Sequence, residues 1–285
     1  MIQKINYFIT FVFDVILYPF KFINPFWGIL FLSVLMSFVV LIIYKKISSP
    51  RTIKSTKEKI KAHILAIRIY KDFWRVILSS FFKSIFYTAK YFSLNLVPLL
   101  VIIPILFPVF VQMEVRYGVR PFKVGEEMVI KARVSQDPQG MDVKLIENGN
   151  FKLKMNPVFI NGFEDEKKSE PIREIDWKVK ATRDGMSYIQ VKLNEKIYEK
   201  SLVIGNYSNY SGALSNKKYS ESSWGHFIYP SEGLFSNTGV IEDMYIEYPS
   251  TKISFADLKL KWWIINFILV FVIVLALHKR FGIEF

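Results

Sequence analysis

Ser33, Ser37, Asn95 and Asn266 are the clear uncharged polar side chains near or within the longest apolar stretches of this chain. Ser33 and Ser37 stand four residues apart, so a helix presents them on one face. In hydrocarbon such groups need partners, and they face protein or water rather than lipid. Two uses follow. One is ordinary hydrogen bonding between helices. The other is a semi-polar groove that shelters a substrate's polar flank during membrane insertion. Pro98, Pro104 and Pro108 are expected to bend the helix that carries them and to free backbone carbonyls at several depths.

Catalytic chemistry has no visible carrier. The chain has no cysteine, no His-Glu-x-x-His, no Gly-x-Ser-x-Gly, no P-loop and no dinucleotide fingerprint. His63, His226 and His278 fall on three separate expected elements, so no shared metal site is expected. Glu164-Asp165-Glu166 is followed at once by Lys167-Lys168 and reads as a solvated loop. Neither enzyme activity nor a cofactor is expected.

The elements that position these residues are set by composition. The chain has 285 residues, 51% hydrophobic and 16% aromatic, with net charge +13 and mean hydropathy +0.23. Those values exclude a disordered chain and a disulfide scaffold. Three runs carry no charge: 27–43, 94–112 and 262–277. Each is near the roughly 17–25 residues that a helix needs to cross a bilayer, and two open on Trp at the expected headgroup level. At about 1.5 Å per residue they are roughly 24–28 Å long, short enough to favour local bilayer thinning.

Charge sets an expected orientation. Segment 45–90 has twelve Lys/Arg against two acids, whereas 114–261 has twenty-two against twenty-one. The positive-inside rule then places 45–90 and the C-terminus in the cytoplasm, and the N-terminus and 114–261 outside, in a plasma or inner membrane. The positive excess faces anionic lipid. DNA is not an expected partner; the ribosome stays open as one for the cytoplasmic segment. Residues 1–25 read as an amphipathic helix lying at the outer interface. Gln3, Asn6, Thr10 and Asp14 form its narrow polar stripe. Residues 46–92 read as a helical hairpin turning near 71–73. Lys54, Lys57 and Lys61 on its first arm, and Arg75, Lys83 and Lys90 on its second, are expected to meet lipid or ribosome.

Through about residues 18–112 this arrangement resembles the YidC/Oxa/Alb family of membrane insertases and its Get/EMC relatives. VILYPFKFINPFWGILFLSVLMSFVVLIIYKK resembles the family's outer helix, Trp-Gly start and first core helix. TIKSTKEKIKAHILAIRIYKD resembles the first arm of its hairpin. NLVPLLVIIPILFPVFVQ, with Asn95, Pro98 and Pro104, resembles the next core helix. The resemblance implies an insertase acting on newly made membrane proteins. Three crossing helices look more like the archaeal and Get/EMC branch. The arginine that many bacterial members carry in the first core helix is absent, since 27–43 offers only Ser33 and Ser37.

Residues 113–204 read as an antiparallel β-sandwich-like domain outside the membrane. Its expected strands are 128–134, 142–147, 174–181, 188–193 and 200–205, with Trp177 in the core. Residues 205–258 read as a polar loop, with glycosylation sequons at Asn206 and Asn209, followed by two return strands within 227–249. Residues 259–285 hold the third membrane helix and a cytoplasmic tail. The leading expectation is an insertase-like membrane protein. The competing one is a membrane-anchored envelope scaffold whose β-domain binds an extracytoplasmic protein.

Overall fold

A computed structural model describes residues 2–162, 172–205, 212–221, 225–230, 232–235, 239–255 and 258–283. The Glu164–Glu166 cluster and the sequons at Asn206 and Asn209 lie outside the described residues. The chain divides into two compact units. One comprises residues 1–28 and 108–262, and the other residues 29–107 and 263–285.

The second unit is helical. Helix α2 (Pro25–Ile47) begins with proline at its first position, which needs no N–H donor there. The Asn24 side chain caps it by accepting the Phe26 N–H at 2.9 Å. Lys45 and Lys46 end it, where cations suit the negative end of the helix dipole. Helix α3 (Pro50–Ile69) follows, then a turn closed by the Phe73 N–H donating to Tyr70 O at 3.0 Å. Helix α4 (Trp74–Met113) follows the turn. His63 of α3 stacks on Tyr87 of α4 at 5.6 Å, and the Lys59 ammonium lies 5.3 Å from the same ring. The hairpin therefore turns where its periodicity predicts. Its second arm and the second apolar run are not separate elements, however. They form one uninterrupted 40-residue helix through Pro98, Pro104 and Pro108. Helix α6 (Trp262–Leu277) is short and uncharged.

Among the described residues, three helical segments are long and apolar enough to cross a membrane: 3–22, 25–47 and 74–118; α6, with 16 residues, is shorter. The first of these comprises most of helix α1 (Ile2–Leu17) and a 3-10 turn (Tyr18–Phe22). Its length alone would allow the crossing that the polar stripe argued against.

The first unit is mainly β. Strands β1 (Glu127–Val134), β5 (Ile172–Ala181), β8 (Lys217–Tyr219) and β9 (Ile241–Ile246) join β3 (Phe151–Leu153) and β4 (Val158–Gly162) in one antiparallel sheet. Its order is β3-β5-β1-β9-β8, with β4 also on β5. Strands β2 (Val143–Ile146), β6 (Gly185–Leu193) and β7 (Lys196–Ile204) form the second sheet. A hairpin of β10 (Ile253–Phe255) and β11 (Leu258–Leu260) precedes α6. All five expected strands are present. The stretch expected to hold two return strands supplies instead β9 and the short helix α5 (Gly225–Ile228).

Alternation builds the core. Ile130 and Ala132 of β1 and Ile175, Trp177 and Val179 of β5 face Ile189, Val191 and Leu193 of β6, all buried in one cluster. Lys200 occupies an inward position on β7 between Tyr198 and Leu202, and is fully buried. Its ammonium reaches Glu232 Oε1 at 2.6 Å and donates to Ser215 O at 2.7 Å. Burial pushes the Lys200 pKa down, and the Glu232 carboxylate opposes that shift.

On the outer face of the larger sheet, Glu174 and Asp176 of β5 share Lys131 of β1, at 2.9 and 3.6 Å. Burial, then Glu174, raises the Asp176 pKa to about 6. The folded chain thus keeps a proton at this site over a pH range in which the unfolded chain has lost it. Stability is lost as pH rises from about 4 to 6. We expect Asp176→Asn to raise the melting temperature of the detergent-solubilised chain at pH 7 and to have no such effect at pH 4. Circular dichroism melts across that range check this.

Candidate functional site

The polar side chains of α2 and α6 meet inside the helical unit. Ser33 Oγ lies 2.8 Å from both Ile29 O and Asn266 Oδ1, and its single proton is divided between these acceptors. Ser37 Oγ donates to Ser33 O at 2.7 Å, within its own helix. Asn266 Nδ2 points at Met36 Sδ, 3.7 Å away. Ser33 and Ser37 are 0% exposed and Asn266 is 1% exposed, so these groups form a closed seam and line no open groove. Asn95 belongs elsewhere. It accepts a hydrogen bond from the Tyr44 hydroxyl at 2.5 Å and donates to Tyr91 O at 2.7 Å, joining α2 to α4. Of the four residues expected to share a site, the fold brings together Ser33 and Asn266, places Ser37 one turn along, and puts Asn95 in a second seam. What this arrangement can do is hold helices together, each contact contributing about 0.6 kcal/mol and at most about 1.7.

Pro98 is buried, Pro108 half-buried and Pro104 exposed. Each proline lacks an N–H, so the carbonyls of Leu94, Leu100 and Pro104 lose their usual helical donors. Lys54, Lys57, Lys61, Arg75, Lys83 and Lys90 are all exposed on the hairpin, which suits them to an anionic surface.

The first unit holds a charged node that the apolar runs gave no reason to expect. A π-helical turn (Glu114–Gly118) extends α4, and Arg116 on it is 5% exposed. The Arg116 guanidinium pairs with Asp14 Oδ1 at 2.6 Å. It also donates to the Gln112 side chain and backbone and to Thr10 O, and lies 5.8 Å from the Phe13 ring. Gln112 Nε2 donates to Thr10 Oγ1 at 3.1 Å. The polar stripe of α1 therefore faces protein. Its apolar side, with Phe8, Phe11 and Val15, is exposed. The sequence signal was there in two parts: Gln112 and Arg116 at helical i, i+4 spacing, and Asp14 as the only acid before residue 58.

Close packing completes the node. A Cβ on Gly28 would stand 2.1 Å from the Tyr117 hydroxyl, so any larger residue there must displace that ring. A Cβ on Gly118 would stand 2.3 Å from Glu114 Oε1, and the other Glu114 oxygen accepts the Trp262 indole N–H at 2.6 Å.

A third feature is a cavity of about 450 Å³ on the outer face of the large sheet. Lys131, Arg133, Glu174, Lys217, Asp243 and Glu247 line it with Tyr219, Tyr229 and Tyr245. Lys217 pairs with Asp243 at 2.9 Å. Burial raises the Tyr219 pKa to about 12, which keeps its hydroxyl a donor. Tyr248, in contrast, is core: it stacks near Phe122 and its oxygen accepts the Val203 N–H at 3.0 Å. Among the described residues no three His, Cys, Asp or Glu side chains stand together as a metal site.

Two outcomes are expected. In a double-mutant cycle, Ser33→Ala and Asn266→Ala should show a coupling of about 0.6 kcal/mol in detergent unfolding; additive effects would remove the seam. Gly28→Ala should destabilise by about 1–3 kcal/mol through overpacking, and Tyr117→Phe in the same chain should recover most of it, because the clashing atom is the hydroxyl. No family model matches the chain, and neither curated proteins nor solved structures show significant similarity to it.

Proposed function

We propose that this chain is an integral membrane protein of insertase type, related to the YidC/Oxa/Alb superfamily, that assists membrane insertion or folding of other proteins. The observation that carries this reading is the order of the helical unit: apolar α2, then α3, then α4, whose first half makes with α3 a basic helical hairpin with all its cations exposed and whose second half is apolar. That is the order the resemblance implies. Positive-inside charge puts the hairpin and C-terminus in the cytoplasm and the β-rich segment outside. The N-terminal helix fits the outer interface, because its polar stripe holds Arg116 while its apolar side stays bare for lipid.

The mechanism is narrower than a semi-polar groove at Ser33 and Ser37, since both are sealed. It rests on bilayer thinning at α6 alone, because α2, with 23 residues, and α4, with 40, are longer than the charge-free runs within them and long enough to span the hydrocarbon. Helix α6 has 16 residues, about 24 Å at the helical rise, against a hydrocarbon core of about 30 Å. Thinner hydrocarbon lowers the cost of carrying a short polar tail across.

A second reading is favoured by the same sealed seam and by the cavity on the β-sheet. In it the helices only anchor an envelope scaffold, and the Tyr-lined cavity binds a partner. Reconstitution separates the two. Liposomes containing the chain should insert a single-helix substrate about five-fold more than empty liposomes. Equal insertion removes the insertase reading and leaves the scaffold.

A further inference from the structure

The tyrosine-lined cavity on the large sheet is built by strand register. Across β5, β1, β9 and β8, one outward row reads Asp176, Lys131, Tyr245, Lys217. The next reads Glu174, Arg133, Asp243, Tyr219. Adjacent strands stand about 4.8 Å apart, so cations, carboxylates and phenols are interleaved at short range. Tyr229, just past α5, joins them, its ring 6.4 Å from that of Tyr219. Part of this lining is already satisfied: Lys131 is held by Glu174 and Asp176, and Lys217 by Asp243. The rest is not. The Arg133 guanidinium, the Glu247 carboxylate and the hydroxyls of Tyr219, Tyr229 and Tyr245 make no hydrogen bond or ion pair among the described residues. The register of β1 on β9 shifts just after Arg133, the kind of irregularity that re-aims a side chain.

These unsatisfied groups select a ligand class. Three cations and three carboxylates line the cavity, so its net charge favours neither an anion nor a cation. A guanidinium only donates, a carboxylate only accepts and a phenol does both. That set matches neighbouring hydroxyls on one ring, each of which donates and accepts. The tyrosine rings offer apolar faces to the C–H side of such a ring. At about 450 Å³ the cavity falls among small-molecule sites. A second cavity, of about 650 Å³, shares Lys131, Tyr245 and Glu247 with it and extends the site into a groove for more than one ring. We propose that this groove binds a neutral oligosaccharide, with Arg133 and Glu247 holding its hydroxyls and Tyr245 packing against a ring face. The proposal is independent of the insertase reading, and it names the partner chemistry that the scaffold reading leaves open. Sugar binding and membrane insertion are measured separately, so failure of one leaves the other standing.

The test uses the full chain in lipid nanodiscs free of glycoside detergent, titrated under saturation-transfer NMR. The probes are maltose, cellobiose and diacetylchitobiose, with cellobiouronic acid and chitobiose as the charged counterparts of the last two. At least one neutral disaccharide should bind, and the neutral member of each pair should bind more tightly than its charged counterpart. Arg133→Gln and Tyr245→Leu should each weaken that binding about five-fold or more, the loss expected for one removed contact. Tyr188→Ala, at an exposed position of β6 on the other sheet, should leave it unchanged. The proposal is overturned by no binding of any neutral sugar, or by tighter binding of a charged counterpart. It is overturned equally by binding that either cavity substitution leaves intact, or that Tyr188→Ala weakens as much.

Discussion

Polar side chains on helices this apolar must find their partners inside the protein, and the rest of the structure depends on that constraint. The cost of an unsatisfied polar group in an apolar medium is several kcal/mol, far above what one interhelical hydrogen bond returns. Three clusters among the described residues meet it between distant segments. Ser33 and Asn266 close on each other. Tyr44 and Asn95 do the same between α2 and α4. Thr10, Asp14 and Gln112 surround Arg116. In each case the polar atoms turn inward and the apolar surface is left outside, the reverse of a water-soluble helix.

The β-rich unit follows the opposite rule. Its strands alternate apolar-in and polar-out, and the inward rows of β1, β5 and β6 make one core. The exceptions are informative. Lys200 takes an inward position and draws Glu232 and Ser215 onto sheet β2-β6-β7. Breaking such a pair by removing one partner costs more than the pair itself contributes, so it fixes the path of the chain after β7 more than it adds stability. On the outer face, burial and then the neighbouring Glu174 raise the pKa of Asp176, against the pull of Lys131. That crowding lies beside the one described cavity that combines charges with three tyrosines.

These two rules divide the work of the protein. The helical unit offers an apolar row and exposed cations, surfaces suited to a hydrophobic chain and an anionic membrane. The β-rich unit offers a charge-balanced, tyrosine-lined cavity, suited to a polar ligand. A membrane protein that handles other chains uses the first; one that organises an envelope uses the second. On the insertase reading proposed above, sealing of Ser33 and Ser37 moves client contact from an aqueous groove to the lipid-facing and hairpin surfaces.

Much was legible in advance because it rests on local periodicity. The charge-free run 262–277 is helix α6 to the residue, the turn near 71–73 closes the hairpin, and five strands follow their alternation. The short strands β3, β4 and β8 were not legible, since three to five residues carry too little pattern and owe their pairing to β5 and β9. The fusion of the hairpin's second arm with the next apolar run was hidden as well, because the basic arm and the charge-free run differ in composition although no helix breaker stands between them. Composition and spacing determined by themselves which segments are apolar rods, which are sheet, and which residues are polar within the rods. Only the tertiary structure decided who partners whom: that Ser33 meets Asn266 across 233 positions, and that Arg116 reaches back to Asp14 across 102. Periodicity is a property of neighbours in the chain, whereas satisfying a buried polar atom is a property of neighbours in space.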